Sequence, residues 1–288
     1  MEVVPVPMLV CPHEGAPLAS RGNALVCVHK HSFDRAREGY VNLLPVQDKA
    51  SLDPGDSKEM VAARRRFLET DAYAPIAAAV ADETLGLMGE SEPGSPYAIL
   101  DAGCGEGYYL QALAVALSAQ ARPAVVQLAG IDISKWAVRA AAKRAAPVAW
   151  VVASNRRPPF AADSIDLVLC LFGFPVWPGF ASVQRADGHV LMVDPGPDHL
   201  EEMRAIIYPE VRRSAAAAPI ATPGYEQVSE RRLRATAMLT SQAIIADLLA
   251  MTPHGHRATL QGRAALSERT SLEVTIDVIR RVFRRTPT

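Results

Sequence analysis

Cysteine is scarce: the chain carries four in 288 residues, Cys11, Cys27, Cys104 and Cys170, too few and too dispersed for the disulfide framework of a small secreted domain. Long apolar runs are missing as well. No stretch approaches the roughly 20 residues that cross a bilayer, and Met1 to Val10 lacks the basic start and extended apolar core of a signal peptide. These absences exclude a membrane partner reached through a spanning helix, and the expected location is the cytoplasm. Net charge is nearly absent too, at −1, so no overall field draws the chain toward a polyanion. Phosphate contacts would have to come from local clusters such as Arg64-Arg-Arg66, Arg231-Arg232 with Arg234, and Arg280-Arg281 with Arg284-Arg285. Each reads equally well as a solvated helix or strand face.

What is present is most informative at Ile99-Leu-Asp-Ala-Gly-Cys-Gly-Glu-Gly107. A short apolar strand runs into a glycine-rich turn, and Tyr108 to Ala121 is apolar at helical spacing. Gly103, Gly105 and Gly107 allow a sharp turn and close approach to a ligand. A second strand ends in Gly130-Ile-Asp132, and an acid at such a strand tip, about 20 or more residues past the loop, accepts hydrogen bonds from ribose hydroxyls. The spacing is not the G-x-G-x-x-G of dinucleotide sites: the third glycine comes one residue early and Tyr108 takes its place, a poorer cradle for pyrophosphate. The pattern from Asp101 through Gly103, Gly105 and Gly107 resembles motif I of S-adenosylmethionine methyltransferases. The rival reading is any glycine-rich strand-to-helix turn.

Three segments follow from composition. Residues 1–47 hold two Cys/His groups and turn residues, too little to keep a core without a staple. Residues 48–96 begin with a polar linker containing Asp53-Pro-Gly-Asp56; Ser57 then caps a helix over Lys58 to Leu68, a second helix covers Ile76 to Met88, and a loop runs from Gly89 to Pro96. Residues 97–288 alternate between strands (98–102, 125–132, 148–153, 165–171, 189–193) and helices (107–120, 134–145, 198–215). Longer strands over Glu226 to Leu239 and Ser271 to Val282 then flank a helix at 241–251. Alternation of this kind argues for an α/β fold with a mostly parallel sheet. By analogy with S-adenosylmethionine methyltransferases it is Rossmann-like and seven-stranded, closed by an antiparallel pair.

Further candidates sit at strand ends. Ser154-Asn155 follows the third strand, where adenine would be held, and Asp163-Ser-Ile-Asp166 opens the fourth; both also read as turn formers. The fourth strand ends Cys170-Leu-Phe-Gly-Phe-Pro-Val-Trp177 without the Asp/Asn-Pro-Pro-aromatic motif that orients an exocyclic amine. Phe172, Phe174 and Trp177 would stack on an unpaired base, or else fill the edge of the core. Cys170 and Cys104 read as small packing residues rather than nucleophiles. Near the N-terminus, Cys11 with Glu14, and Cys27 with His31, have spacings that suit one tetrahedral zinc. Glu14 stands where a second cysteine is expected, and His13 beside it is the other candidate for that position. A metal-free mini-domain is the alternative.

Taken together these segments resemble the large-subunit ribosomal RNA guanine-N1 methyltransferases, the RlmA family, over nearly the whole chain. The specific parts are Phe33-Asp34, Ala36-Arg-Glu-Gly-Tyr-Val-Asn-Leu-Leu-Pro-Val-Gln47, Asp53-Pro-Gly-Asp-Ser57, Ala63-Arg-Arg65, Asp101-Ala-Gly-Cys-Gly-Glu-Gly-Tyr-Tyr109, Asp194-Pro-Gly-Pro-Asp-His-Leu200 and Met251-Thr-Pro253. The resemblance implies an N-terminal zinc-ribbon recognition domain joined to a methyltransferase domain. It also implies S-adenosylmethionine and zinc as cofactors, and methylation of guanine N1 in a hairpin of domain II of 23S ribosomal RNA. It carries cofactor roles onto Tyr73, Tyr109 with Leu110, and His199. A subgroup from actinobacterial antibiotic producers confers macrolide resistance, and the arginine- and alanine-rich composition leans that way. No residue identifies itself as the base that takes the N1 proton; Asp194 and His199, near the end of the fifth strand, are the candidates.

Two rival functions stay in view. A small-molecule methyltransferase of the same fold would have no use for the N-terminal module, and a non-catalytic zinc-ribbon RNA-binding protein would have no use for intact Gly103, Gly105, Gly107 and Asp132. Oligomeric state is open, with a homodimer among the states the sequence admits.

Overall fold

The computed structural model describes residues 1–48, 51, 53–89, 95–121, 124–144, 146–210 and 221–286. Parts of the expected 48–57 linker and 89–96 loop, residue 145, and residues 211–215 at the end of the expected 198–215 helix lie outside the described residues.

Every residue of the strand leading into the glycine turn is buried, as a strand covered on both faces requires. In chain order the strands are β1 (Glu2–Pro5), β2 (Ala19–Arg21), β3 (Ala24–Val26), β4 (Ser32–Asp34), β5 (Val41–Asn42), β6 (Tyr97–Ala102), β7 (Val125–Asp132), β8 (Ala149–Val152), β9 (Ile165–Leu171), β10 (Gln184–Pro195), β11 (Tyr225–Leu239) and β12 (Leu272–Arg285). The helices are α1 (Lys58–Leu68), α2 (Ala74–Met88), α3 (Tyr108–Ser118), α4 (Lys135–Ala141), α5 (Trp177–Val183), α6 (Glu201–Ile207), α7 (Gln242–Met251), α8 (His254–Arg257) and α9 (Leu260–Ser267).

The large sheet runs β11-β12-β10-β9-β6-β7-β8-β5. Pairings are parallel from β10 to β5, and β12 is antiparallel to both β10 and β11. The seven expected strands are there, and two short ones from the N-terminal segment widen the sheet to nine. β1 pairs with the first half of β7 and β8 with the second half, while β5 extends the edge beyond β8. The small sheet β2-β3-β4 lies between these two anchors.

Alternation along the strands sends neighbours to opposite faces. Ile99 and Leu128 join the core with Phe67 of α1, Ile76 of α2 and Leu113 of α3. Leu100 and Ala129 join the other core with Phe180 of α5 and with Leu25, Val41 and Leu43 of the N-terminal segment. That segment therefore supplies cover that α5 alone would not.

Two expected helices are shorter. α4 ends at Ala141, and α6 ends at Ile207 because Tyr208 precedes Pro209 and takes an extended conformation, φ −119° and ψ 140°, as a residue before proline favours. No helix among the described residues is long and apolar enough to cross a membrane.

Candidate cofactor cleft and metal centre

The C-terminal ends of β6, β7, β8, β9 and β10 open into one cavity of about 1600 Å³. At its floor Gly103 has φ +99° with open space where a Cβ would stand, so this glycine serves the backbone turn. Gly107 differs: at φ +84° an added Cβ would meet Trp150 at 2.8 Å and Ala141 at 3.0 Å, so it serves helix-to-sheet packing and does not line the cavity. Asp132 closes the loop from the tip of β7, accepting the Gly105 amide at 3.0 Å and the Ser134 amide at 2.8 Å. Burial pushes its pKa upward against those two bonds.

Other walls come from unexpected places. The Asp53–Asp56 turn, whose composition marks a linker, docks on the start of α4. Trp136 donates its indole N–H to Asp53 at 2.6 Å, and the Ser134 hydroxyl donates to the Asp56 carbonyl at 2.7 Å. Asp56 pairs with Arg64 of α1, and Arg64 also donates to the Met251 carbonyl at 3.2 Å. Asp56, Met60, Arg64 and Tyr73 all line the cavity. On the β8 side, Ser154 and Asn155 line it as expected; the Asn155 amide donates to the Ala102 carbonyl at 3.2 Å, and Ser154 also accepts the Arg156 amide at 3.2 Å in a local turn.

His199 and Tyr73 form the most constrained part of the site. The backbone N–H of Asp277 donates to His199 Nδ1 at 3.2 Å, which puts the lone pair on Nδ1 and the ring proton on Nε2. Nε2 lies 3.0 Å from the Tyr73 hydroxyl oxygen and donates to it, leaving the Tyr73 proton free for another acceptor. Burial lowers the His199 pKa to about 4 and raises that of Tyr73, so both are neutral near pH 7. With its lone pair engaged by a peptide N–H, His199 has none to spare as a base. Asp194 is turned away: it accepts from Arg281 at 3.1 Å and does not line the cavity.

Aromatic rings crowd the same corner. Phe172 adopts φ +55°, a strained setting for an aromatic residue, and its ring lies 6.0–6.3 Å from those of Tyr73, Tyr109 and His199. Phe174 also lines the cavity and is 90% exposed. Trp177 is a correction. Its ring is buried against Phe180, Tyr225 and Phe283 and fills the core rather than offering a stacking face. Leu110 is a buried core side chain that does not line the cavity, and its amide belongs to the first turn of α3, where helix N–H groups lack an intrahelical acceptor. Cys170 sits in the core with its thiol pushed up to about 12 by burial, and Cys104 lines the cavity with its thiol raised likewise. Burial thus keeps both thiols protonated near pH 7. Asp163 sits on the turn before β9, 3.6 Å from Arg285, away from the cavity.

Three buried polar groups point to a zwitterionic ligand. Asp101 Oδ1 and the Tyr109 hydroxyl have no partner among the described residues, and the Tyr73 proton is spare. Burial, with Asp132 nearby, pushes the Asp101 carboxyl up to about 8, a group that an ammonium would hold ionised. Glu106 Oε1 is a further orphan on the lining, but its carboxylate is held by Arg144. The Asp101 acceptor and the two phenol donors match the amino and carboxylate ends of the methionine moiety, and Asp132 at the tip of β7 lines the same cavity. The residues therefore fit S-adenosylmethionine.

In the N-terminal segment, the Sγ atoms of Cys11 and Cys27 each lie 3.5 Å from His31 Nδ1. That is the edge length of a zinc tetrahedron built from bonds of about 2.3 Å to sulfur and 2.0–2.1 Å to nitrogen. Among the described residues these three form the metal-capable group. Glu14 Oε2 lies 3.8 Å from His31 Nδ1 and 3.3 Å from His29 Nε2, whereas the His13 ring packs against those of His31 and Phe33.

The sheet order, glycine turn and paired acid at the strand tip define an S-adenosylmethionine-dependent methyltransferase. Residues 9–52 match the family described as RlmA, N-terminal, a zinc ribbon, and residues 99–186 match a methyltransferase domain. A Streptomyces fradiae protein named 23S rRNA (guanine(748)-N(1))-methyltransferase is 32% identical over 251 residues, 85% of this chain and 84% of its own. Two relatives carry provisional names as 23S rRNA (guanine-N(1)-)-methyltransferases. The one from Micromonospora griseorubida is 34% identical, covering 96% of this chain and 97% of its own; YxjB from Bacillus subtilis is 33% identical, covering 90% of each. The chain belongs to the family of 23S ribosomal RNA guanine-N1 methyltransferases.

Proposed function

We propose that this chain methylates N1 of a guanine in a 23S ribosomal RNA hairpin, the acceptor base entering beside Phe172 and Phe174. The observation that carries the reading is the cavity: at about 1600 Å³ it exceeds the 300–1,000 Å³ of ordinary ligand pockets, and an exposed phenylalanine stands in it where a flipped base would stack.

Bound S-adenosylmethionine supplies a methyl group already activated on sulfonium. Tyr73 and Tyr109 donate to its carboxylate, Asp101 receives its ammonium, the Leu110 amide and Gly103–Gly105 line its approach, and Asp132 and Ser154-Asn155 hold ribose and adenine. The task left to the chain is alignment of donor and acceptor. His199 acts by fixing the Tyr73 hydroxyl. The N-terminal segment holds zinc through Cys11, Cys27 and His31 with Glu14 as fourth ligand, and presents the RNA. Glu14 is favoured over His13 because its carboxylate already lies near the ligand set and His13 is held in a ring stack.

The test is transfer of labelled methyl to unmodified 23S RNA followed by nucleoside analysis. The expected product is 1-methylguanosine; N6-methyladenosine, or label confined to small molecules, contradicts the reading.

A further inference from the structure

The part of the cavity beyond the cofactor contacts is lined by a segment with no assigned task. Met251, Thr252, Pro253, His254, His256 and Arg257, the end of α7 and most of α8, all line it. This turn is built rather than loose. The Tyr208 hydroxyl and His254 Nδ1 are 2.8 Å apart, and Arg263 of α9 donates to the carbonyls of Gly255 and Ala258. Burial and the neighbouring charges of Arg204 and Arg257 keep His254 below the usual imidazole range, so it supports the turn as a neutral ring.

Charge pairing sorts the arginines that line the cavity. Arg64 is neutralised by Asp56, and Arg204 donates to the Pro197 and His199 carbonyls. Off the cavity Arg66, Arg144, Arg232, Arg280 and Arg284 are paired with acids, while Arg21, Arg157 and Arg269 are exposed with no ion-pair partner among the described residues. Arg156, just past β8, and Arg257 on α8 both line the cavity and are exposed, and neither has an ion-pair partner among the described residues. Of the acids lining the same cavity, Asp56 and Glu106 are paired with arginines and Asp101 and Asp132 sit at the cofactor floor, which leaves Glu210 as the one exposed acid. Unpaired guanidiniums around an opening suit phosphate, whose oxygens accept two parallel N–H bonds.

We propose that Arg257 and His256 on α8, with Arg156 after β8, bind backbone phosphates of the RNA next to the guanine presented to the cavity. This rests on the reading of the substrate as ribosomal RNA and names the surface that grips it. The side chains of Arg156, His256 and Arg257 are not among those assigned to the cofactor, so the two kinds of binding separate experimentally.

The experiment measures affinity for an unmodified 23S RNA transcript across a salt series, with S-adenosylmethionine affinity and thermal midpoint measured on each variant. Arg257→Ala and Arg156→Ala are each expected to lower RNA affinity several-fold at low salt. Each should reduce the slope of log affinity against log salt by about 0.7–0.9, the value for one phosphate contact, with S-adenosylmethionine affinity unchanged. Arg257→Lys should keep the slope. Arg269→Ala, an exposed arginine off the cavity, serves as the control and should change neither quantity. An unchanged slope in both Arg156→Ala and Arg257→Ala, or an equal loss in Arg269→Ala, overturns the proposal while leaving the substrate reading intact. Wild-type chain that binds the RNA but transfers no methyl to it overturns the substrate reading and leaves the surface standing. Wild-type chain that does neither overturns both.

Discussion

His199 donates to the hydroxyl of Tyr73 across 3.0 Å, joining residues 126 positions apart, and it can do so only because the Asp277 amide occupies its other nitrogen. Asp277 is itself held by Arg232, and its carboxylate accepts the Asp198 amide at 2.9 Å. The loop after β10 is thus pinned by the two antiparallel strands, and the pin ends at a phenol aimed into the cofactor cavity. Tyr73→Phe keeps the ring and removes the donor. S-adenosylmethionine affinity should fall by about 1.5–3 kcal/mol, the range for a hydrogen bond to a charged group, measured by calorimetry. Unchanged affinity would show that the Tyr73 proton serves something else.

Asp132 accepts the Gly105 and Ser134 amides, and in the proposed function it also holds ribose. Asp132→Ala should weaken S-adenosylmethionine binding by roughly 1–3 kcal/mol and also lower the thermal midpoint of the ligand-free protein, because two amides lose their acceptor. A variant with normal affinity would remove Asp132 from the cofactor site.

Asp101 makes stability depend on pH in the opposite sense to an ion-paired carboxylate. Its folded pKa of about 8 lies above the ordinary value of 3.8, so between those values the folded chain holds a proton that the unfolded chain has released. Stability from this group therefore falls as pH rises through that window and levels off above about 8. The midpoint of Asp101→Asn relative to wild type should rise between pH 5 and pH 8. A difference constant with pH would mean that Asp101 titrates normally.

Zinc should staple β2–β4 but not the whole N-terminal segment, since β1 and β5 belong to the large sheet. Cys27→Ser, or removal of metal by a chelator, should loosen the 11–34 region and weaken RNA binding while leaving S-adenosylmethionine affinity nearly unchanged, as expected for distant sites. Hydrogen exchange over that region and calorimetry on the same variant check it; equal loss of both ligands would make the segment part of the cofactor site.

What was legible in the sequence was local. The strand, glycine turn, helix and Asp132 follow from short-range pattern, and Cys11, Cys27 and His31 follow from ligand spacing. The Asp53–Asp56 wall was not legible, because a Pro-Gly turn rich in acids has the composition of a linker and its docking on Ser134 and Trp136 is long-range. Trp177 shows the converse: an aromatic after a strand reads the same whether it faces a cavity or a core. The stop of α6 at Ile207 had a visible signal, Pro209, while the Tyr73–His199–Asp277 chain had none, since nothing local links β12 to the start of α2.

The most direct measurement is primer extension on 23S RNA from cells with and without this protein, since a methyl on guanine N1 blocks the pairing edge. One new stop is expected, next to a guanine in a hairpin, weakened in cells carrying Asp132→Ala. Identical extension patterns with and without the protein, or a stop undiminished in that variant, would contradict it.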